Sequence, residues 1–233
     1  MQKTAIITGG TKGIGKSLVQ EFVQLGYMVF TCARNDADIR NLEKEFSVNG
    51  ARVQGMSVDL SKKENCKAFV EFVLGRTDKV DCLINNAGFF QPGKIHEEED
   101  SIFEMIMKVN LESAYYITKG FVPLMKERRS GYIFNMCSTA SIVPYNNGGA
   151  YCISKFALLG FSRVLREELK EYNIKVTSVL PGATFTPSWE GSGFPEERFI
   201  KASDVSKTII SALQLSDQAV VEELIIRPQL GDI

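Results

Sequence analysis

The chain has 233 residues, 44% apolar and 24% charged, with a formal net charge of -1, long enough to bury a substantial core in one α/β domain. No run approaches the roughly 18 apolar residues that a membrane-crossing helix needs. A near-neutral chain also carries no global field toward nucleic acid or anionic lipid, so any anionic ligand must be held by local charges.

Thr4 to Thr8 reads as a buried first strand, because one positive charge and a short apolar stretch do not make a secretory signal. It runs into Thr8-Gly9-Gly10-Thr11-Lys12-Gly13-Ile14-Gly15-Lys16-Ser17, which opens directly into the helical pattern Leu18-Val19 and Phe22-Val23. A strand, a glycine turn and a helix start present free backbone N–H groups and the helix dipole to an anion, so this loop is predicted to bind a phosphorylated ligand. Two ligand classes compete for it. The spacing departs from the G-x-G-x-x-G dinucleotide fingerprint, whereas Gly10 to Ser17 formally satisfies G-x-x-x-x-G-K-S, the P-loop of nucleoside triphosphatases. A triphosphatase also needs a strand that delivers an Asp to magnesium, and Asp59, behind a broken apolar pattern, is the nearest approach to one.

Further β-rich runs follow at Met28 to Cys32, Val53 to Val58, Cys82 to Ile84, Tyr132 to Cys137, Lys175 to Leu180 and Leu224 to Ile226, alternating with helical patterns. That alternation predicts βαβ units and a parallel sheet, and the continuous apolar strands predict helices on both of its faces. Residues 1–233 show no linker and are expected to form a single domain. The longest helical pattern runs from about Ser101 to Arg128; acidic Glu97 to Asp100 lead in, and Lys126, Arg128 and Arg129 close it. Both charge runs read as solvated helix ends of the sign the dipole favours. A second long helix is expected from near Gly149 to about Tyr172. The Gly/Pro/Ser-containing stretch at about 187–202 predicts a mobile, lid-like loop.

Cys32, Cys66, Cys82, Cys137 and Cys152 form no C-x-x-C pair and lie in mostly apolar segments, which suits reduced thiols of a cytoplasmic protein. The sole histidine, His96, sits beside Glu97 and leaves few ways to build a Ser-His-Asp triad or a His-rich metal site, so no metal is expected.

Tyr151 and Lys155 place a phenol and an ammonium four residues apart on one helix face. A phenol titrates near pH ~10, and a nearby cation that stabilises the phenolate makes it a usable proton donor. Tyr115 and Lys119 have the same spacing. Context separates the pairs: Tyr151 follows a strand that ends at Ser138, and ligands of open parallel sheets bind beyond the carboxyl ends of strands. Two more strand ends carry Asn85-Asn86-Ala87-Gly88 and Leu180-Pro181-Gly182.

In order and spacing, Thr8 to Gly15, the Asn86 turn, Asn110, Ser138, Tyr151, Lys155 and Pro181-Gly182 with Thr186 resemble the short-chain dehydrogenase/reductase family over nearly the whole chain. The resemblance implies a Rossmann-like, doubly wound, mostly parallel seven-stranded sheet. It implies an oxidoreductase that moves a hydride between a nicotinamide dinucleotide and a carbonyl/alcohol substrate. Tyr151 would donate the proton, Lys155 hold the nicotinamide ribose, and Ser138 orient the carbonyl oxygen. Asn110 would distort the long helix and support a water-linked proton path. Cofactor contacts are implied for Gly9, Thr11, Lys12, Gly13, Ile14, Gly15, Arg34, Asn35, Asp59, Leu60, Asn86, Ala87, Gly88, Pro181, Gly182, Thr184 and Thr186, with Asp59 against the adenine. A homodimer or homotetramer built on the two long helices is implied as well.

The second strand ends Thr31-Cys32-Ala33-Arg34-Asn35, without the acid that would repel a 2′-phosphate. Arg34 and Lys12 offer such a phosphate charge-assisted hydrogen bonds, which favours NADP(H) over NAD(H); Asp36 is the nearest opposing charge. Phe89, Phe90, Val143, Tyr145, Trp189 and Phe194 fall beyond the strand ends and suggest an apolar substrate pocket. Fold alone does not fix function, so a catalytically quiet dinucleotide-binding regulatory module is the alternative.

Overall fold

In the computed structural model, which describes residues 2–47, 52–189, 191 and 193–232, the strands in chain order are β1 (Thr4–Thr8), β2 (Met28–Ala33), β3 (Val53–Ser57), β4 (Cys82–Asn85), β5 (Gly131–Met136), β6 (Ile174–Pro181), β7 (Thr184–Phe185), β8 (Ile200–Lys201) and β9 (Glu223–Ile226). Seven of them form one sheet in the order β3-β2-β1-β4-β5-β6-β9, every neighbouring pair parallel, while β7 and β8 pair separately. The helices are α1 (Gly13–Gln24), α2 (Asp36–Phe46), α3 (Lys63–Leu74), α4 (Asp100–Met107), α5 (Ser113–Arg128), α6 (Gly149–Leu169) and α7 (Ala202–Leu213). This is the Rossmann-like, doubly wound fold. The strand order reverses between β1 and β4, the place where such sheets open a crevice for a ligand.

Alternation along each strand splits the core into two layers. Ala5 and Ile7 of β1, Cys82 and Ile84 of β4 and Phe134 of β5 face Leu18, Phe22, Val205 and Ile209 of α1 and α7. Ile6, Leu83 and Ile133, between them, face Phe69 of α3, Phe121 of α5 and Leu165 of α6. Both faces are dry, which is why these strands read as unbroken apolar runs. A buried polar chain crosses the second layer: Asn85 Nδ2 donates to Thr118 Oγ1 at 2.9 Å and to Asn135 Oδ1 at 2.8 Å, and Asn135 Nδ2 donates to Ser162 Oγ at 2.8 Å. It ties β4 and β5 to α5 and α6.

The helical pattern expected from Ser101 to Arg128 is divided, with a π turn at Lys108–Glu112 between α4 and α5. The expected second helix is α6 followed by a 3-10 turn at Lys170–Tyr172. In the two charge runs Glu97, Glu99, Asp100, Arg128 and Arg129 are exposed, as expected of solvated helix ends, and two residues depart from that reading. Glu98 is half-buried, and its carboxylate accepts from the Ala150 N–H at 3.1 Å; at the other end Lys126 lies 3.9 Å over the Tyr172 ring. The five cysteines are buried and unpaired, and exposed His96 stands 3.3 Å from Glu97. Glu190 and Ser192 of the expected lid lie outside the described residues. Around them Trp189 packs on Phe199 at 5.0 Å, in a cluster with Phe185 rather than over the sheet's crevice. No helix among the described residues is long and apolar enough to cross a membrane.

Candidate active site

The carboxyl ends of β1, β2, β3 and β4 surround a cleft of about 770 Å³ lined by Gly9, Thr11, Lys12, Gly13, Ile14, Gly15, Arg34, Asn35, Asp59, Leu60, Asn86, Ala87, Gly88, Tyr151, Lys155 and Thr186. Glycine is demanded at the loop by geometry. Gly9 and Gly13 have φ of +68° and +53°, and a Cβ on Gly15 would stand 2.1 Å from the Gly9 carbonyl oxygen. Gly15→Ala is therefore expected to cost about 1–3 kcal/mol of overpacking, seen calorimetrically as a Tm lower by about 2–4 °C for each kcal/mol. An unchanged Tm would mean that the loop relaxes freely. The Asn86 amide braces the loop by donating to the carbonyls of Thr8 at 2.8 Å and Gly9 at 3.2 Å. The Thr8 hydroxyl accepts from the N–H groups of Asn86 and Ala87. The first turn of α1 carries no acidic residue and no side-chain cap, so its N–H groups are left for an anion.

The alternative P-loop reading needs Lys16 and Ser17 at the phosphates. Instead Lys16 pairs with Glu45 of α2 at 2.8 Å and the Ser17 hydroxyl meets Ser206 of α7 at 2.8 Å; neither lines the cleft. A glycine-walled trough ending at a tyrosine and a lysine fits an extended dinucleotide instead.

At that end Lys155 is only 5% exposed and donates to the Met136 carbonyl at the tip of β5 at 2.7 Å. Burial brings its pKa down to about 8. The Tyr151 ring stands edge-on to Phe90, centroids 4.9 Å apart. Burial raises the phenol to about 12, with the Ser138 hydroxyl opposing that rise by hydrogen bonding to it, so Tyr151 is protonated at neutral pH. Ser138 accepts from the Ala140 N–H at 3.1 Å, which fixes its hydroxyl at the β5 end. Tyr115 and Lys119 reproduce the spacing and the cation–ring distance, 5.8 Å against 5.7 Å. Tyr115, however, is 45% exposed and does not line the cleft.

Asn110 sits buried at the centre of the π turn, the kind of helix defect that clusters at functional sites. Its amide closes on Phe89 from both sides, accepting from the Phe89 N–H at 2.7 Å and donating to the Phe89 carbonyl at 3.0 Å. It also donates to Ser154 at 3.0 Å, whose hydroxyl passes on to the Tyr151 carbonyl at 2.7 Å. Ser154, buried three residues after Tyr151 and one before Lys155, is thus a link that sequence reasoning missed.

At the other end of the cleft Asn35 caps α2, accepting from Ala37 and Asp38. The Asp59 carboxylate accepts from the Ser61 N–H at 3.0 Å, which with nearby Lys62 and Arg34 holds it below the usual range. Asp38, also overlooked in the sequence, lines the cleft and pairs with Lys12 at 2.9 Å. Three expected cofactor contacts are set back from the lining: Pro181 ends β6 and accepts from Ser138 at 3.4 Å, Gly182 donates to Ile226, and buried Thr184 donates to the Gly182 carbonyl. Of the expected apolar lining, Phe89 and Phe90 face the cleft with Met105, Val109 and Pro187, whereas Val143, Tyr145, Trp189 and Phe194 do not.

Comparison with known proteins agrees with this geometry. The family model for short chain dehydrogenases matches residues 3–194. The chain is 28% identical over 241 residues to a sepiapterin reductase of Chlorobaculum tepidum, covering 100% of this chain and 99% of that one. A metagenomic short-chain oxidoreductase solved in complex with NADP superposes with a TM-score of 0.86 at 28% identity, 97% of each chain covered. An alcohol dehydrogenase from Thermococcus sibiricus complexed with 5-hydroxy-NADP gives 0.90 at 26% identity, with 98% of this chain and 97% of that one covered. With its parallel seven-stranded sheet, glycine trough and buried tyrosine–lysine pair, the chain belongs to the short-chain dehydrogenase family of oxidoreductases.

Proposed function

We propose that the protein is an NADP(H)-dependent carbonyl reductase in which Tyr151 is the proton donor. The observation that carries this reading is that Tyr151 and the buried Lys155 line one end of the glycine trough, with the Ser138 hydroxyl, set back from the lining, hydrogen-bonded to the Tyr151 phenol. A bound reduced nicotinamide would supply the hydride to the carbonyl carbon and be left oxidised, and in alcohol oxidation the oxidised ring would accept it. Ser138 and Tyr151 donate to the substrate carbonyl oxygen and hold it at the strand end. As that oxygen gains negative charge, the phenol gives up its proton, because an alkoxide is a far stronger base than a phenolate even when burial has raised the phenol to about 12. The Lys155 ammonium favours the phenolate so formed. Arg34 and Lys12, at the far end, supply positive charge for a 2′-phosphate. The two NADP-containing relatives support that cofactor, and the apolar surface of Phe89, Phe90, Met105 and Val109 supports a largely apolar substrate.

The direct test follows NADPH absorbance against a panel of ketones, aldehydes, quinones and 3-oxoacyl thioesters. Turnover of at least one class is the expected result; tight NADPH binding with no turnover on the whole panel would favour a regulatory binding module instead. The pH dependence adds a second check. Lys155 must be protonated to act, and its pKa lies near 8. The reductive kcat/KM for NADPH, which reports the free enzyme, should therefore be level below that pH and fall roughly tenfold per pH unit above it. A flat profile through pH 8 and beyond would remove the lysine from this role.

A further inference from the structure

The helix that carries Tyr151 and Lys155 begins without a cap of its own. The residue before α6 is Gly148, which has no side chain to offer, and Gly149 enters the helix at φ +30°. The N–H groups of a helix's first turn have no partner within the helix. Here the Ala150 N–H, one residue before Tyr151, is met by a side chain from 52 positions upstream: the Glu98 carboxylate, at 3.1 Å and 3.4 Å from its two oxygens.

Its neighbours in the acidic run do other things. Glu97 pairs with Lys94 at 3.0 Å and Glu99 accepts from Ser101 at 3.3 Å, both exposed. Glu98 alone turns inward, and the backbone is built to let it. A Cβ on Gly149 would stand 2.5 Å from the Gly93 carbonyl and 2.7 Å from Glu98 Oε2, and one on Gly93 would stand 3.0 Å from the same oxygen. The Gly93 N–H donates to the Asn147 carbonyl at 2.9 Å, forming a short parallel bridge between the two segments. Asn147 accepts a left-handed φ of 63° to make that turn. Phe90, a few residues upstream of Gly93 in the same loop, packs its ring edge on Tyr151. The loop after β4 therefore grips the start of α6 at three points: ring on ring, bridge and carboxylate.

We propose that Glu98 is a positioning residue for Tyr151. Its carboxylate caps α6 across the fold and sets where the first turn, and hence the phenol, stands relative to Ser138. A carboxylate also suits the positive end of a 21-residue helix. Proton transfer to a reacting oxygen depends steeply on such placement, with a displacement near 1 Å costing as much as ~100-fold.

The inference rests on Tyr151 being the proton donor, and the experiment separates the two. Glu98→Ala, Glu98→Gln and Tyr151→Phe are assayed beside the wild type on whichever carbonyl the panel identifies, with kcat expressed per NADPH-binding site so that unfolded protein does not count. Hydrogen exchange of the 148–155 amides is followed in parallel. Glu98→Ala should lower kcat about tenfold or more, leave the NADPH Kd within about twofold, and speed exchange at the start of α6. Glu98→Gln, which keeps a carbonyl oxygen to accept from Ala150, should recover most of the lost rate. Turnover lost in Tyr151→Phe but unchanged in Glu98→Ala would overturn the positioning role alone, as would unchanged exchange at the helix start. Turnover surviving in Tyr151→Phe would overturn the proton-donor reading and this inference with it.

Discussion

Tyr151→Phe should lower kcat by roughly 100- to 10,000-fold, the usual worth of a positioned general acid, while the NADPH Kd changes little. The substitution removes one oxygen and keeps the ring that packs on Phe90, so the fold and the trough should persist. Neither neighbour replaces the missing group. Ser138 is held at the β5 end by the Ala140 N–H, and an aliphatic hydroxyl is a far weaker acid than a phenol. The Lys155 ammonium is tied to the Met136 carbonyl and would surrender its positive charge if it gave up a proton. The check is a single-turnover measurement with NADPH preloaded, which isolates the chemical step from product release. A rate within a few-fold of wild type would take the phenol out of the mechanism.

Arg34→Asp should reverse the order of cofactor preference. Arg34 is exposed at the end of β2 and its charge reaches Asp59; a hydrogen bond from such a group to phosphate contributes about 1.5–3 kcal/mol. Loss of that bond, and the new carboxylate's repulsion of a 2′-phosphate, should weaken NADPH relative to NADH by roughly 10- to 100-fold or more. Lys12 remains beside the phosphate, but it shares its charge with Asp38 at 2.9 Å and so makes up only part of the loss. Titration of intrinsic fluorescence with each dinucleotide reads the ratio directly. It should be done at low and moderate salt, since screening shrinks the effect at an exposed site. An unchanged ratio would place the discrimination elsewhere in the trough.

The fold was legible because its strands are buried on both faces and announce themselves as apolar runs; observed ends differ from the expected ones by a residue or so. The trough was legible because glycine is required there by sterics, at Gly9, Gly13 and Gly15. What escaped was everything that depends on a side chain reaching across the chain. Glu98 looked like its acidic neighbours until the turn at Gly93 aimed it at Ala150. Asp38 belongs to no motif, and its grip on Lys12 exists only because α2 starts beside the glycine loop. The π turn at Asn110 has no periodic signature, since one extra residue in a turn hardly disturbs an apolar pattern; only the family resemblance pointed to a distortion there. Tyr115 and Lys119 make the converse point, for a spacing identical to that of Tyr151 and Lys155 ends on an open surface.

The packing of α1 against α7 bears on how the molecule is made. Every residue that lines the trough lies between positions 9 and 187, so the ribosome finishes the binding groups well before it finishes the chain. Yet the Ser17 hydroxyl finds its partner 189 residues later in Ser206, and Leu18, Val19 and Phe22 share a layer with Val205 and Ile209. Until α7 emerges, one flank of the helix that begins at the glycine loop stays wet. The groups of the binding trough thus leave the ribosome ahead of the helix that covers this flank of α1.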